Sequence, residues 1–135
     1  VGSRDVDAIY FHSDSVGAIP ILQALEQLGK KVPAGEEGHI FLASIDGTPN
    51  CLEAIREGFQ DQCSSQPNPD FGILVDYVEM ELNGETIEPG IVEKEDAPWS
   101  PATIEESETG LMLNLATTNV TAENVDDPTL WGNAE

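Results

Sequence analysis

Apolar positions follow two rhythms along the first part of the chain. Asp7-Ala-Ile-Tyr-Phe-His12 is a short run of β-formers, and in the mostly apolar stretch from Val16 to Leu28, Ile19, Leu22 and Leu25 recur at helical spacing. The expectation is strand, turn, helix, with Asp14 or Ser15 as cap and Gly29 plus two lysines as the stop. Pro20 fits that helix poorly, because past the first turn a proline removes a backbone bond; the helix either begins late or kinks there. His39 to Ile45 reads as a buried-type strand closed by Asp46-Gly-Thr-Pro49, and Leu52, Ile55 and Phe59 mark a short helix after it. A third strand covers Phe59 to Ser65. From Pro69 to Leu82, Phe71, Leu74, Val75, Val78 and Leu82 share one helical face that stops at Asn83-Gly84. Beyond Gly84 the rhythm dissolves: residues 85–110, rich in Glu, Pro and Ser, read as an irregular arm before a last apolar strand at Leu111-Met-Leu-Asn-Leu-Ala116.

Strands alternating with helices imply parallel pairing through right-handed crossovers, hence an α/β, parallel-sheet layered fold. At 135 residues the chain has room for one domain with a proper core. Composition changes the picture through charge. Twenty-six acids against 5 Lys+Arg give a formal net charge of -21, which disfavours nucleic acid and anionic membrane surfaces, both of which require clustered basic residues. An acidic, solvated surface suited to salt is the plain reading of that charge. No apolar run approaches the roughly 18 residues of a membrane helix. Val1-Gly-Ser-Arg-Asp5 lacks a basic-then-apolar export signal, and a start without Met suits a mature or excised piece.

Ligands of parallel α/β sheets sit at the carboxyl ends of strands. Three polar groups fall there: His12-Ser13-Asp14 after the first strand, Asp46 after the second and Gln66 after the third. A carboxylate beside Gly47 can accept two hydroxyl hydrogen bonds, and a side-chain amide both donates and accepts, a set suited to neutral polyols. Singly, Asp46 serves equally to shape an Asp-Gly turn, and Ser13 or Asp14 to cap a helix; the recurrence at equivalent strand ends favours a site. Trp131 near the end of an acidic tail calls for packing against the body of the protein.

Tyr10-Phe-His-Ser-Asp14, Ser44-Ile-Asp-Gly-Thr-Pro49, Gln66 and the ending Glu123-Asn-Val-Asp-Asp-Pro-Thr-Leu-Trp-Gly-Asn133 together resemble the C-terminal half of a type I periplasmic sugar-binding protein of the ribose-binding group. The resemblance implies a receptor subunit of an ABC-type carbohydrate importer, a two-lobed clamp closing on a monosaccharide. Its partners would be the sugar, the membrane permease and the missing N-terminal half of the same protein, and its address periplasmic or extracytoplasmic, with a membrane-anchored lipoprotein as one form. Carried over residue by residue, Ser13, Asp46 and Gln66 would contact sugar, with His12 and Asp14 beside them. Ser13 departs from the usual Asn, and Ile45 stands where some relatives carry an aromatic ring. The same resemblance divides the chain into residues 1–66 of the C-terminal lobe, a crossover helix at 67–90 packing on the N-terminal lobe, and residues 91–135 as arm, last strand and tail. Exposed lobe surface would favour self-association. The alternative from another class is the sugar-sensing domain of a repressor, which shares the fold and its turns.

Cys51 and Cys63 lie at matching heights if a helix descends from residue 49 and a strand climbs back from residue 60, about 9 Å at roughly 1.5 Å per helical residue and about 10 Å at roughly 3.3 Å per strand residue. A disulfide is feasible, and two buried free thiols are the equal alternative. His12 and His39 fall on different strands and no Cys or His pair has zinc-site spacing, so neither metal nor cofactor is expected. His12 reads equally as a packed strand histidine. Asn119-Val-Thr121 matches a glycosylation sequon by chance. With no phosphate loop, nucleophile elbow or Ser/His/Asp order, the expectation is a binding protein and not an enzyme.

Overall fold

A computed structural model describes residues 5–68 and 70–134. The chain forms two compact units, residues 1–65 with 118–135 and residues 66–117. Pro69, expected to open a helix, and residues 1–4, read for an export signal, lie outside the described residues.

In the first unit the expected strand–helix alternation is present: β1 (Ala8–Phe11), α1 (Asp14–Gln27), β2 (Phe41–Asp46), α2 (Pro49–Arg56) and β3 (Gln62–Ser65). β1, β2 and β3 pair in parallel, and a short strand from the tail, Thr118–Val120, closes the other edge of β3 in antiparallel register. No apolar run announces that edge strand, whose three residues include the Asn119 of the sequon. The period of two sorts the sheet into faces. Phe11, Ser44, Cys63 and Val120 are register partners on one face, which Leu42 shares two residues before Ser44, and all are buried. Phe11 and Leu42 join Ala18 and Leu25 of α1 in one cluster, and Cys63 and Val120 join Cys51, Leu52 and Ile55 of α2, with Val125 and Leu130 of the tail, in another. Tyr10 and Phe41 on the opposite face stay 63% and 46% exposed.

Helix α1 runs from Asp14 straight through Pro20. The lost bond costs only one amide near the solvent side, since Pro20 itself is exposed, so the helix neither starts late nor ends there. Helix α2 begins as its sequence requires: Thr48 caps it, its hydroxyl accepting from Cys51 N at 3.4 Å, and Pro49 occupies the first turn where no amide is needed.

The second unit holds α3 (Gly72–Leu82) and an antiparallel three-stranded sheet, Gly90–Val92, Ala102–Ser107 and Gly110–Asn114, here β4, β5 and β6. The stretch read as an irregular arm thus contributes two strands of this sheet. Glu105, Glu106 and Ser107 fall on exposed positions of β5, while Ala102 and Ile104 alternate inward, too few apolar residues to register as a period. Trp99 is the anchor of this unit: its ring is buried with Ile73 and Ala102, and its indole N–H donates to Asp70 Oδ2 at 2.9 Å. Among the described residues no helix is long and apolar enough to cross a membrane.

Candidate functional site

The carboxyl ends of β1 and β2 end in two backbone conformations that L-residues rarely adopt. Ser13 has φ 88° and Asp46 has φ 117°, two of only three non-glycine residues with positive φ among those described. Such strain persists only where surrounding structure over-determines it, and it clusters at functional sites. Two determinants act on Asp46. Gly47 follows with φ 79°, and a Cβ there would lie 2.7 Å from Ser65 Cβ and 2.8 Å from Ser65 Cα, so only glycine lets the turn close on the end of β3. Behind the turn, Trp131 donates its indole N–H to the Asp46 carbonyl at 2.8 Å. The tail tryptophan therefore holds the backbone of the candidate site, and Asn124, Arg56 and Asn133 hold the tail. Arg56 donates to Asp126 Oδ1 at 2.7 Å, to the Val125 carbonyl at 3.2 Å and to Asn133 Oδ1. The Asn133 amide reaches the carbonyls of Val125 and Asp127, and Asn124 caps its own turn through Thr121 N.

The side chains at these tips form a connected polar surface. Ser13 Oγ and Ser15 Oγ are 2.6 Å apart, and Ser15 donates to Asp46 Oδ2 at 3.4 Å, which joins the loop after β1 to the carboxylate after β2. Tyr10 OH lies 3.4 Å from His12 Nδ1, the two rings edge-on at 6.2 Å. Both α1 and α2 start at this end, so their positive dipole ends face it. Hydroxyls, a carboxylate, an imidazole and an exposed phenol make a surface that exchanges neutral hydrogen bonds and offers one ring face.

Of the residues expected at the site, Ser13 and Asp46 are brought together, bridged by Ser15, which the sequence presented only as a cap. Asp14 is only 2% exposed, and its Oδ2 accepts from Gly47 N at 2.9 Å and Thr48 N at 3.3 Å. It ties the two loops from beneath. His12 is exposed rather than packed in the strand. Gln66 is the first residue of the second unit, one peptide bond after Ser65, which pairs with Asp46 across β2 and β3. Cys51 and Cys63 are free thiols, both fully buried. Trp131 carried a signal in the sequence, an indole needing both cover and an acceptor; its partner being a main-chain carbonyl 85 residues away left no trace there.

The second unit carries a separate apolar groove of about 550 Å³ between α3 and the sheet, lined by Leu74, Tyr77, Val78, Leu82, Ile104 and Leu113 among others.

No protein-family model matches the chain, and no curated protein matches it in sequence. Solved structures do. A galactofuranose binding protein superposes over 90% of this chain and 32% of its own, with a TM-score of 0.57 and 17% identity. The periplasmic binding protein of the arabinose ABC transporter from Shewanella sp. ANA-3, bound to α- and β-L-arabinofuranose, superposes over 94% of this chain and 33% of its own, with a TM-score of 0.60 and 18% identity. The fold is therefore that of a type I periplasmic binding protein, of which this chain spans about a third of the length.

Proposed function

We propose that the chain supplies part of a sugar receptor for an ABC-type importer, presenting Ser13, Ser15 and Asp46 to the hydroxyls of a monosaccharide. One observation carries this reading. Two adjacent parallel-strand tips hold non-glycine residues in strained backbone, and their side chains are linked through Ser15 in a solvent-facing polar surface. The two solved neighbours, a galactofuranose binding protein and an arabinose transporter component bound to arabinofuranose, support a neutral sugar as the ligand class. They favour a receptor over the repressor sensor, and an extracytoplasmic address with a membrane permease as partner.

The remaining part of the clamp belongs to this proposal. Parallel sheets occur almost only with both faces covered, yet Tyr10 and Phe41 leave one face of the β1–β3 sheet open, and Val75 and Leu82 of α3 are 66% and 82% exposed. A preceding segment of the same protein would cover these faces and contribute the opposite wall of the site. Alone, the chain offers fewer contacts and binds weakly.

Calorimetric titration of the full-length gene product with L-arabinose and D-galactose tests the reading. Asp46→Gly is the decisive variant, because φ 117° is open to glycine. It is expected to leave thermal stability unchanged or raised while weakening sugar binding by about 1–3 kcal/mol for the lost charged acceptor. Undiminished affinity in Asp46→Gly removes Asp46 from the site, and heat from neither sugar with a folded protein removes the monosaccharide reading.

A further inference from the structure

Beneath the Asp46 turn, three groups from three different elements converge with no charged partner. The Oδ2 of Asp14, at the start of α1, is occupied by two backbone amides, but its Oδ1 is buried with no hydrogen-bond partner. Cys51 of α2 and Cys63 of β3 are both fully buried, and a carboxylate oxygen of Asp14 and the two sulfurs all lie within 4.8 Å of one another. None of the ion pairs among the described residues reaches Asp14. A buried carboxylate oxygen left unpaired is costly, and such an orphan requires an explanation.

The second sulfur environment points the same way. Gln60, 2% exposed, donates from Nε2 to Cys51 Sγ at 3.0 Å and to Ser44 Oγ at 2.7 Å, and Ser44 Oγ is itself 3.6 Å from that sulfur. Gln60 Nε2 thus stands to Cys51 Sγ as the outer-shell hydrogen-bond partners of a metal-bound sulfur do. Two soft sulfurs and one carboxylate oxygen form the donor set of a zinc-type cation, which takes sulfur at about 2.3 Å and oxygen at about 2.0–2.2 Å. A tetrahedral centre of that size needs donors about 3.5–3.8 Å apart, so the three groups need close by no more than about 1 Å. Ser44 Oγ is the next oxygen near Cys51.

We propose that Asp14, Cys51 and Cys63 bind one thiophilic divalent cation of the zinc class, which pins α1, α2 and β3 together under the strand tips. Binding converts two thiols to thiolates and releases their two protons, leaving the cation's two positive charges against three negative ligands. Spacing rules miss such a centre because its ligands sit 37 and 12 residues apart in sequence, Asp14 to Cys51 and Cys51 to Cys63, with no short Cys or His pair between them. The site does not depend on the sugar reading.

The test uses the 135-residue chain, reduced and stripped with a chelator, then titrated separately with zinc and cobalt(II). One zinc per chain, a thiolate-to-cobalt charge-transfer band and a thermal midpoint raised by several degrees are expected. Asp14→Asn keeps both sulfurs and should lower zinc affinity about tenfold or more. Because that variant also loses charge under the turn, Cys63→Ala is the second arm: it should abolish the cobalt band and the zinc-dependent rise while the apo chain still melts cooperatively. The proposal is overturned by the absence of a cobalt band, by an equal zinc-dependent rise in Cys63→Ala, which would mean adventitious binding to surface acids, or by an intact mass short of two hydrogens that reductant restores, which would mean a Cys51–Cys63 disulfide.

Discussion

Replacing Gly132 with alanine tests whether the C-terminal turn braces the candidate site. Gly132 is buried, and an added Cβ would meet Gly47 O, approach Leu52 Cδ1 to 2.8 Å and Thr48 C to 3.1 Å. Two of these three atoms are backbone at the start of α2, where Thr48 caps the helix and Asp14 holds both amides, so neither can yield cheaply. Gly132 is not among the residues with positive φ, so the penalty is steric alone. Overpacking of this kind costs about 1–3 kcal/mol. As the turn moves away, Trp131 loses its bond to the Asp46 carbonyl, and the loss is felt at the strand tips. Hydrogen exchange of the native chain, resolved by peptide, is the assay, because it reads each unit separately. Amides of β2, β3 and α2 should exchange about 5- to 150-fold faster in Gly132→Ala, the factor equivalent to that cost, while those of α3 and β4–β6 stay as in the wild type. Unchanged protection in β2 and β3, or equal acceleration in both units, would refute the idea that the tail is a brace for this site.

Arg56→Ala should release the tail at its other fastening, since one guanidinium serves Asp126, Val125 and Asn133. Because the side chain is partly solvated, the expected loss is about 1 kcal/mol, shrinking with added salt, and urea melts at low and high ionic strength check it. His39 should make stability depend on pH. Burial lowers its pKa, but the Val32 carbonyl, 2.7 Å from Nδ1, and the Asp61 carboxylate, 2.9 Å from Nε2, outweigh this and raise it above the ordinary 6.5. A group raised on folding stabilises fully below its unfolded value and loses that contribution as pH climbs through its folded value. The stability gap between wild type and His39→Gln should therefore be widest below about pH 6.5 and narrow in mildly alkaline buffer. A gap independent of pH would show that His39 acts only as a neutral hydrogen-bond partner.

The strand–helix alternation was legible because hydrophobic spacing is a local property: α2 buries Leu52 and Ile55, and α1 buries Leu25 although Ile19 of the same expected face stays 50% exposed. Asp46 and Ser13 were legible for a related reason: chain order in a parallel fold places polar residues after successive strands at one end of the sheet. The sequence misled where burial is thin. β4 is only three residues long and β5 carries Glu105, Glu106 and Ser107 exposed, so their pairing rests on backbone bonds and on Trp99 with Ala102 and Ile104, none of which makes a run. In the same way, α3 shows a clean apolar face that this chain leaves exposed.

By itself, then, the order of residues determined the layered α/β class and which strand tips would be polar, but not the cap of α1: Asp14 and Ser15, expected there, give no capping bond, and Ser13 stands at the N-cap without one. Only the tertiary structure decided that Asp14 turns inward, that Ser15 bridges to Asp46, that a tail tryptophan grips the Asp46 carbonyl, and that two cysteines meet a buried carboxylate. Helix and strand periods are set by neighbours a few residues apart. Those four contacts join residues between 12 and 85 positions apart in sequence, or turn on which face of one turn points to the core, and chain closure alone brings such groups within bonding distance.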